Sequence, residues 1–192
     1  MSLAQDWQSA FSRAVQQRET AQALKEASLQ ARLGDWTAAL TDVSVGACEV
    51  LGWQASAKGH ALALLPEARS EYLTLDVAAF APGAPRWPFP VAVMELENSR
   101  KDDRIAYSLW KVLCVRAALR VVFCYRPAPA QAARLVRFLQ DEVIRPLAID
   151  ARLALDGETL LVVGGRSEAA TFPYGFFKWW RLEQNPGVFE AF

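Results

Sequence analysis

Cysteine and histidine are scarce in this 192-residue chain, and their scarcity excludes several classes of site. Cys48, Cys114 and Cys124 are odd in number and far apart, so they fit neither a disulfide framework nor a zinc site. We expect them to be small buried hydrophobic residues in a reducing compartment. His60, the only histidine, is expected to be a polar surface group. Since no Walker-type glycine-rich loop and no Gly-x-Ser-x-Gly motif occurs, nucleotide kinases and serine hydrolases are unsupported.

A surplus of charge of either sign is also missing. Lys plus Arg and Asp plus Glu number 21 each, whereas a protein dedicated to coating nucleic acid would be basic. No apolar run approaches the ~20 residues that span a bilayer, and the N-terminus has no cationic segment followed by an apolar one. We therefore expect a cytoplasmic protein with no membrane association. Its hydrophobic content of 53% is enough for a core within one domain, residues 1–192.

The hydrophobic period changes along the chain, from helical in residues 1–52 to mixed in residues 53–192. Apolar residues at helical spacing predict one amphipathic helix from Leu3 to about Leu33. A second helix is expected from an N-cap at Asp35 through Leu51. We interpret these helices as an N-terminal extension that offers a surface for a homodimer.

Strands and helices alternate in residues 53–192, which predicts an α/β (α+β) fold with a mixed central sheet flanked by helices. Asp156-Gly157 is typical of a hairpin turn, and the aromatic tail from Phe172 to Trp180 is expected to close a core or an interface. The expected elements are strands Ala61–Leu65, Glu71–Phe80 and Pro90–Asn98, a helix from Arg104 to about Leu119 capped by Asp102 or Asp103, strand Arg120–Tyr125, a helix opened by Pro129, and a hairpin of Leu153–Leu155 with Thr159–Val163.

Two acids stand near the end of the apolar strand Pro90–Asn98. Residues two apart in a strand share a face, so Glu95 and Glu97 lie on the same side of the sheet. A buried carboxylate without a partner costs several kcal/mol, on the order of what a small domain can lose. Two like charges on one face add to that cost unless a cation lies between them. A divalent metal is one such cation; an edge strand with a solvated acidic end is the alternative.

A third acid, Asp76, lies in the preceding expected strand, and Lys111 lies in the following helix. If the two strands are antiparallel neighbours, the carboxylates of Asp76 and Glu95 are within a few Å of each other. Two or three oxygen ligands with waters suit Mg²⁺ when it also holds a phosphate. A lysine beside such a site can orient a water or stabilise charge on phosphate oxygens.

This order of residues resembles the PD-(D/E)XK nuclease superfamily, whose fold is that of restriction endonucleases. Asp76 matches the motif aspartate, Glu95 matches the glutamate of Glu-x-Lys, and Leu96 matches the residue whose carbonyl often completes the metal shell. The chain departs at Glu97, where the family usually has Lys, and Lys111 is the candidate for a lysine moved to the next helix. The resemblance implies Mg²⁺- or Mn²⁺-dependent hydrolysis of DNA or RNA phosphodiesters, with Lys111 or Glu97 positioning the water.

The resemblance spans roughly Ala61 to Tyr125, and it leaves other functions open. A catalytically inactive member of the same fold, acting as an interaction or scaffold protein, is the main alternative, and an acidic pocket for another ligand is a third. Glu49 is a further metal ligand by analogy with helix glutamates of some members, although a solvated helix face explains it equally well. Basic residues expected around the site, with a phosphate backbone as their potential partner, are Arg100, Lys101, Arg104, Arg116 and Arg120.

Overall fold

The computed structural model describes residues 2–66, 71–83 and 85–192, and helices cover both faces of its single sheet. A π-helical turn, Gln140–Ile144, extends the fifth helix. Within the described residues, none of the helices has the length and apolar character needed to cross a bilayer. The helices are α1 (Leu3–Val15), α2 (Arg18–Leu29), α3 (Leu33–Val50), α4 (Asp102–Leu113), α5 (Pro129–Leu139) and α6 (Ile149–Leu153).

The strands lie side by side in the order in which they occur in the chain. The third, fourth and fifth strands are parallel to one another, and every other neighbouring pair is antiparallel. Parallel neighbours need crossover connections, which α4 and the α5–α6 segment provide. The predicted mixed sheet flanked by helices is confirmed. The strands are β1 (Gln54–Ala57), β2 (Val77–Phe80), β3 (Ala92–Leu96), β4 (Leu119–Arg126), β5 (Glu158–Gly165), β6 (Phe177–Glu183) and β7 (Val188–Ala191).

The N-terminal helices form a layer of the core and are not an appendage to it. Trp7 and Phe11 of α1 are fully buried, and the ring of Phe11 lies 5.2 Å from that of Phe123 in β4. Trp36 of α3 packs edge-on against Tyr125, with 5.0 Å between ring centroids. The apolar stripe identified in the sequence is therefore used within the chain. A homodimer through these helices stays a prediction.

The first predicted helix is in fact two, α1 and α2. The break falls in the polar run Gln16–Thr20, where Gln17 is extended (ψ 132°) and the side chains are largely exposed. No apolar side chain in that run holds the backbone against the core, so a continuous helix gains nothing there from packing. The next helix begins at Leu33, before the expected cap, and Asp35 in its first turn pairs with Arg32.

Helices α4 and α5 cover the opposite face of the sheet. Ile105 and Leu109 of α4 and Leu135 and Leu139 of α5 are fully or almost fully buried there. Helix α4 begins at Asp102 and ends at Leu113, earlier than expected at both ends. The sequence Leu119–Arg126 forms β4, which includes the strand that was predicted.

The strands before β3 differ from the prediction. Residues 61–65 do not form a strand; β1 lies earlier, at Gln54–Ala57. Of the expected strand Glu71–Phe80, only Val77–Phe80 is β structure, because Tyr72–Thr74 forms a short 3₁₀ turn. Asp76, expected within this strand, therefore lies one residue before β2.

The hairpin predicted at Asp156-Gly157 is also wrong. Its first arm is not a strand, since Leu153 is the last residue of α6 and Ala154 and Leu155 belong to the connection that leads through the Asp-Gly turn into β5, whose antiparallel partner is β6. Gly157 has φ +85°, and a Cβ there would lie 2.3 Å from the carbonyl oxygen of Ala118. Glycine is needed at this turn for its backbone conformation and for that close approach. The aromatic tail packs into the core as expected, with Phe176 fully buried before β6 begins.

Candidate active site

The pairing of β2 with β3 brings Asp76 opposite Glu95. Val77 pairs with Met94 in antiparallel register, and the same register continued by one residue sets Asp76 across from Glu95. Side chains directly opposite in such a pair have Cβ atoms about 4.5–5.5 Å apart. Met94 packs under the N-terminal helices and Val93 under α4, so Glu95 lies on the face that α4 covers.

Glu95 is buried and forms an ion pair with Lys111. Its side chain is 8% exposed, and Oε1 lies 2.7 Å from Nζ of Lys111, whose own side chain is 19% exposed. Apart from that ammonium group, Oε1 has no hydrogen-bond partner among the described residues. Lys111, which the sequence places in the helix after β3, thus reaches Glu95 from α4.

The pKa of the Glu95 carboxyl is raised above its ordinary value. Burial is the main cause, because it removes water from the charged form, and the negative charge of Asp76 adds to it. The Lys111 ammonium and the Asp76 backbone N–H act in the opposite direction but do not cancel the effect of burial. A buried carboxyl group whose pKa is raised, with a second carboxylate and a lysine beside it, is a frequent feature of functional sites.

Lys111 is held by a second contact, to a turn with unusual backbone geometry. Its Nζ donates to the carbonyl oxygen of Thr74 over 2.9 Å. Leu73 and Thr74 have φ of 56° and 57°, a left-handed conformation that is rare for a β-branched residue such as threonine. Strain of this kind costs on the order of 1–3 kcal/mol per residue and concentrates at functional sites. Here the strained turn provides a carbonyl that fixes the lysine beside Glu95.

Asp76 accepts a hydrogen bond from the backbone of β3 at Leu96, the residue after Glu95. Its Oδ2 accepts a hydrogen bond of 2.6 Å from the N–H of Leu96. This contact fixes one carboxylate oxygen at the end of β3, next to Glu95. Asp76 and Leu96, two of the predicted metal ligands, are therefore in direct contact, and Glu95, the third, precedes Leu96 in the strand.

Glu97 is engaged in a different contact. It lies just beyond the end of β3, and its Oε1 accepts a hydrogen bond of 2.7 Å from the N–H of Ser99. This carboxylate closes the turn between β3 and α4. The structure brings Asp76, Glu95 and Lys111 together but gives Glu97 a local structural partner.

Two of the basic residues expected around the site are engaged in contacts near the starts of β3 and β4. Arg120 is buried near the start of β4, where it donates to the carbonyls of Val112, Val115 and Asp156. Arg116 stacks over Phe89, with 4.8 Å from its guanidinium carbon to the ring centroid. The expectation of one basic cluster is therefore wrong for these two residues.

The remaining candidates have other environments. His60 pairs with Asp42 at the surface over 2.8 Å, as expected for a polar surface group. Glu49 is exposed on α3 and makes no contact with the three site residues. Cys48 and Cys124 are buried, which confirms their prediction, but Cys114 is exposed.

An aromatic pair that was not predicted from the sequence lies on α4 next to Lys111. Tyr107 and Trp110 of α4 are 59% and 53% exposed, with 5.7 Å between their ring centroids. Tyr107 lies one helical turn before Lys111, and Trp110 immediately precedes it. Their spacing of three residues does place the two rings on one helix face. It did not show that this face of an apolar-rich helix is exposed.

The donor set fits a magnesium-type ion that keeps most of its water. Among the described residues, no group of three or more His, Cys, Asp or Glu side chains surrounds a common point. Mg²⁺ is commonly bound by only one or two carboxylates, together with waters and substrate phosphates. Glu95 and the adjacent Asp76 would be the two carboxylates of such a site, with the backbone carbonyl of Leu96 as a further oxygen donor, and Lys111 would have to give up its contact with Oε1 if that oxygen were to bind the ion.

Comparisons of the chain with protein-family models, with curated proteins and with solved structures find no match. The resemblance to the nuclease superfamily therefore rests on the residues and their order in the sequence and stays a prediction.

Proposed function

We propose that the protein is a metal-dependent nuclease of the PD-(D/E)XK type, which hydrolyses phosphodiester bonds of DNA or RNA. The observation that carries this proposal is the meeting of Asp76, Glu95 and Lys111 where β2 pairs with β3, on the face of the sheet that α4 covers. The order of the elements around them, two antiparallel strands, a helix and a parallel strand, adds support.

Asp76, Glu95 and the Leu96 carbonyl would hold one Mg²⁺ or Mn²⁺ ion. When bound, such an ion supplies a water of lowered pKa and offsets the charge of the scissile phosphate. Lys111 keeps a positive charge next to Glu95, where it can orient the attacking water or stabilise charge on the phosphate oxygens. The Thr74 carbonyl restrains the lysine in that place. Glu97 would have to release Ser99 to take part, so we assign the positioning role to Lys111.

The exposed aromatic pair supports a nucleic-acid substrate. Bases stack on aromatic side chains with about 1–3 kcal/mol each, in a manner that tolerates any sequence. Tyr107 and Trp110 are accessible on the same helix as Lys111. A base adjacent to the scissile phosphate could therefore stack on this pair while the phosphate meets the lysine.

A non-catalytic interaction protein is the second candidate, and one observation favours it. Each acid already has a protein partner, Lys111 for Glu95 and the Leu96 N–H for Asp76. The site is thus neutralised in part without a metal, as expected if catalysis had been lost. A measurement of divalent-ion binding does not by itself distinguish the two functions, so a cleavage assay must accompany it.

The test compares the wild-type chain with Asp76→Asn, Glu95→Gln and Lys111→Met. Labelled single- and double-stranded DNA and RNA are incubated with Mg²⁺ or Mn²⁺, and metal binding is followed by calorimetry. We expect cleavage by the wild type and a loss of at least about a hundredfold in each variant. Binding of the metal should be lost in the two carboxylate variants and kept in Lys111→Met.

Asp141→Asn is the matched control, because Asp141 is an exposed carboxylate paired with Arg145 far from β3. Its activity should equal that of the wild type. Equal metal heats in the wild type and both site variants, with no cleavage of any substrate, would contradict the nuclease function. Specific metal binding without cleavage would favour the non-catalytic alternative.

A further inference from the structure

A basic cleft lies at the carboxyl ends of the three parallel strands, which end at Leu96, Arg126 and Gly165. Two adjoining cavities of about 280 and 350 Å³ make up this cleft. Both are lined by Arg100, Tyr125, Arg126 and Pro127, so they form one continuous site. In open α/β sheets, ligands bind in the crevice outside the carboxyl ends of the strands.

The cleft concentrates positive charge in a chain whose net charge is zero. Arg134 of α5 lines the first cavity, and Arg166, which follows β5, lines the second. Asp102 is the one carboxylate among the described lining residues, and it is already paired with Arg126. Arg100, Arg134 and Arg166 make no ion pair or hydrogen bond within the described part of the chain. Three guanidinium groups therefore face the cleft without a counter-charge.

A polar side chain in the wall of the cleft also lacks a partner. The hydroxyl of Tyr125 is shielded from water and has no hydrogen bond within the ranges that the structure describes. Its ring is fixed by Trp36 and lies close to Gly164, where a Cβ would be only 2.6 Å from a ring carbon. Burial raises the pKa of this phenol well above its ordinary value, so it is a neutral donor at physiological pH.

We propose that this cleft is an anion site that binds a phosphate monoester, the terminal phosphate of a nucleotide or an oligonucleotide. The planar guanidinium fork matches phosphate oxygens in bidentate fashion, and Arg100, Arg134 and Arg166 provide three such forks. Helices α4 and α5 both begin at this end of the sheet, and the partial positive charge of their N-termini adds to the attraction. The cleft uses none of Asp76, Glu95 and Lys111, so it goes beyond the proposed nuclease site.

The test measures binding in EDTA, which removes any contribution from a metal at Glu95. The probes are inorganic phosphate, a nucleoside 5′-monophosphate, and one oligonucleotide with either a 5′-phosphate or a 5′-hydroxyl. We expect the phosphorylated oligonucleotide to bind at least about tenfold more tightly than the hydroxyl form, the equivalent of about 1.4 kcal/mol. Tight binding of the mononucleotide alone would identify a free nucleotide as the source of the phosphate.

Arg100→Gln and Arg134→Gln are the informative variants, since both side chains are exposed and their removal leaves the core intact. Each should weaken binding of the phosphorylated probe by about tenfold, because a charge-assisted bidentate contact is lost. Arg137→Gln, one turn further along α5 and outside the cleft, is the matched control and should bind like the wild type. Equal affinity for the two oligonucleotide forms without tight binding of the mononucleotide, or an equal loss in Arg137→Gln, would overturn the assignment.

Discussion

The ammonium group of Lys111 lies 2.7 Å from Oε1 of Glu95, and the two residues come from different elements, a helix and the strand before it. Both side chains are largely withdrawn from water. A buried carboxylate is tolerated only with such a partner, because its desolvation is costly. Lys111 thus offsets part of the cost of burying this carboxylate and marks where a reacting phosphate would meet positive charge.

Lys111→Met should destabilise the protein in a manner that depends on pH. In the folded state the pKa of Glu95 is raised above its ordinary value of 4.5. Protonation of this carboxyl therefore contributes stability that is complete below pH 4.5 and is lost as the pH rises through the raised pKa. Loss of the lysine raises this pKa further. We expect a deficit near zero at pH 4 and about 3 kcal/mol at pH 7, measured by urea unfolding.

Two controls accompany that measurement. Lys58→Met removes an exposed lysine and should change the unfolding free energy little at any pH. The double variant Glu95→Gln/Lys111→Met has no buried ion pair left at this site and should lose this part of the pH dependence. A deficit of equal size at pH 4 and pH 7 would contradict the buried pair.

Arg120→Met should be strongly destabilising. The guanidinium of Arg120 donates to the carbonyls of Val112 and Val115 over 3.1 Å and to that of Asp156 over 2.6 Å. Its removal leaves these part-buried acceptors unpaired, and we expect a loss of about 3 kcal/mol or more in unfolding free energy. Arg145→Met is the control, because its exposed pair with Asp141 contributes at most about 0.5 kcal/mol. Similar losses in both variants would refute the special role of Arg120.

Gly157→Ala tests the turn into β5. The new Cβ would collide with the Ala118 carbonyl at 2.3 Å, and the backbone also has positive φ. Gly52→Ala has the same backbone problem at φ +76° but meets nothing within 4 Å. We expect Gly52→Ala to lower stability by about 1 kcal/mol and Gly157→Ala to lower it clearly more, by thermal or urea unfolding. Equal effects of the two substitutions would mean that the close approach to Ala118 is absent.

Thiol titration checks the burial of the cysteines. Burial raises the pKa of Cys48 and of Cys124 to about 12, so neither forms a reactive thiolate at neutral pH, whereas Cys114 is exposed. A disulfide reagent should react quickly with one thiol per native chain and with three after denaturation. In Cys114→Ser, the fast native reaction should disappear; a fast thiol that survives would place Cys48 or Cys124 at the surface.

Local patterns predicted the parts of the fold that are decided within a few residues. The strands β3 and β4 and the proline that opens α5 were predicted correctly because side-chain hydrophobicity and backbone chemistry are local properties. The break between α1 and α2 was missed, since it depends on which turns of the helix pack against the sheet. The prediction of a hairpin at the Asp-Gly turn was wrong for a similar reason. A hairpin forms only if the segments on both sides of the turn pair with each other, and β5 pairs instead with β4 and β6.

The spacing of Asp76, Glu95 and Lys111, and the chemistry of two acids and one cation, were determined by the sequence alone. Only the tertiary structure decided that Glu95 is paired with Lys111, that Glu97 closes a turn, and that three arginines without carboxylate partners line one cleft. The physical reason is that register and helix docking join residues far apart in the chain. Their contacts depend on how the whole core packs, which no short stretch of sequence contains.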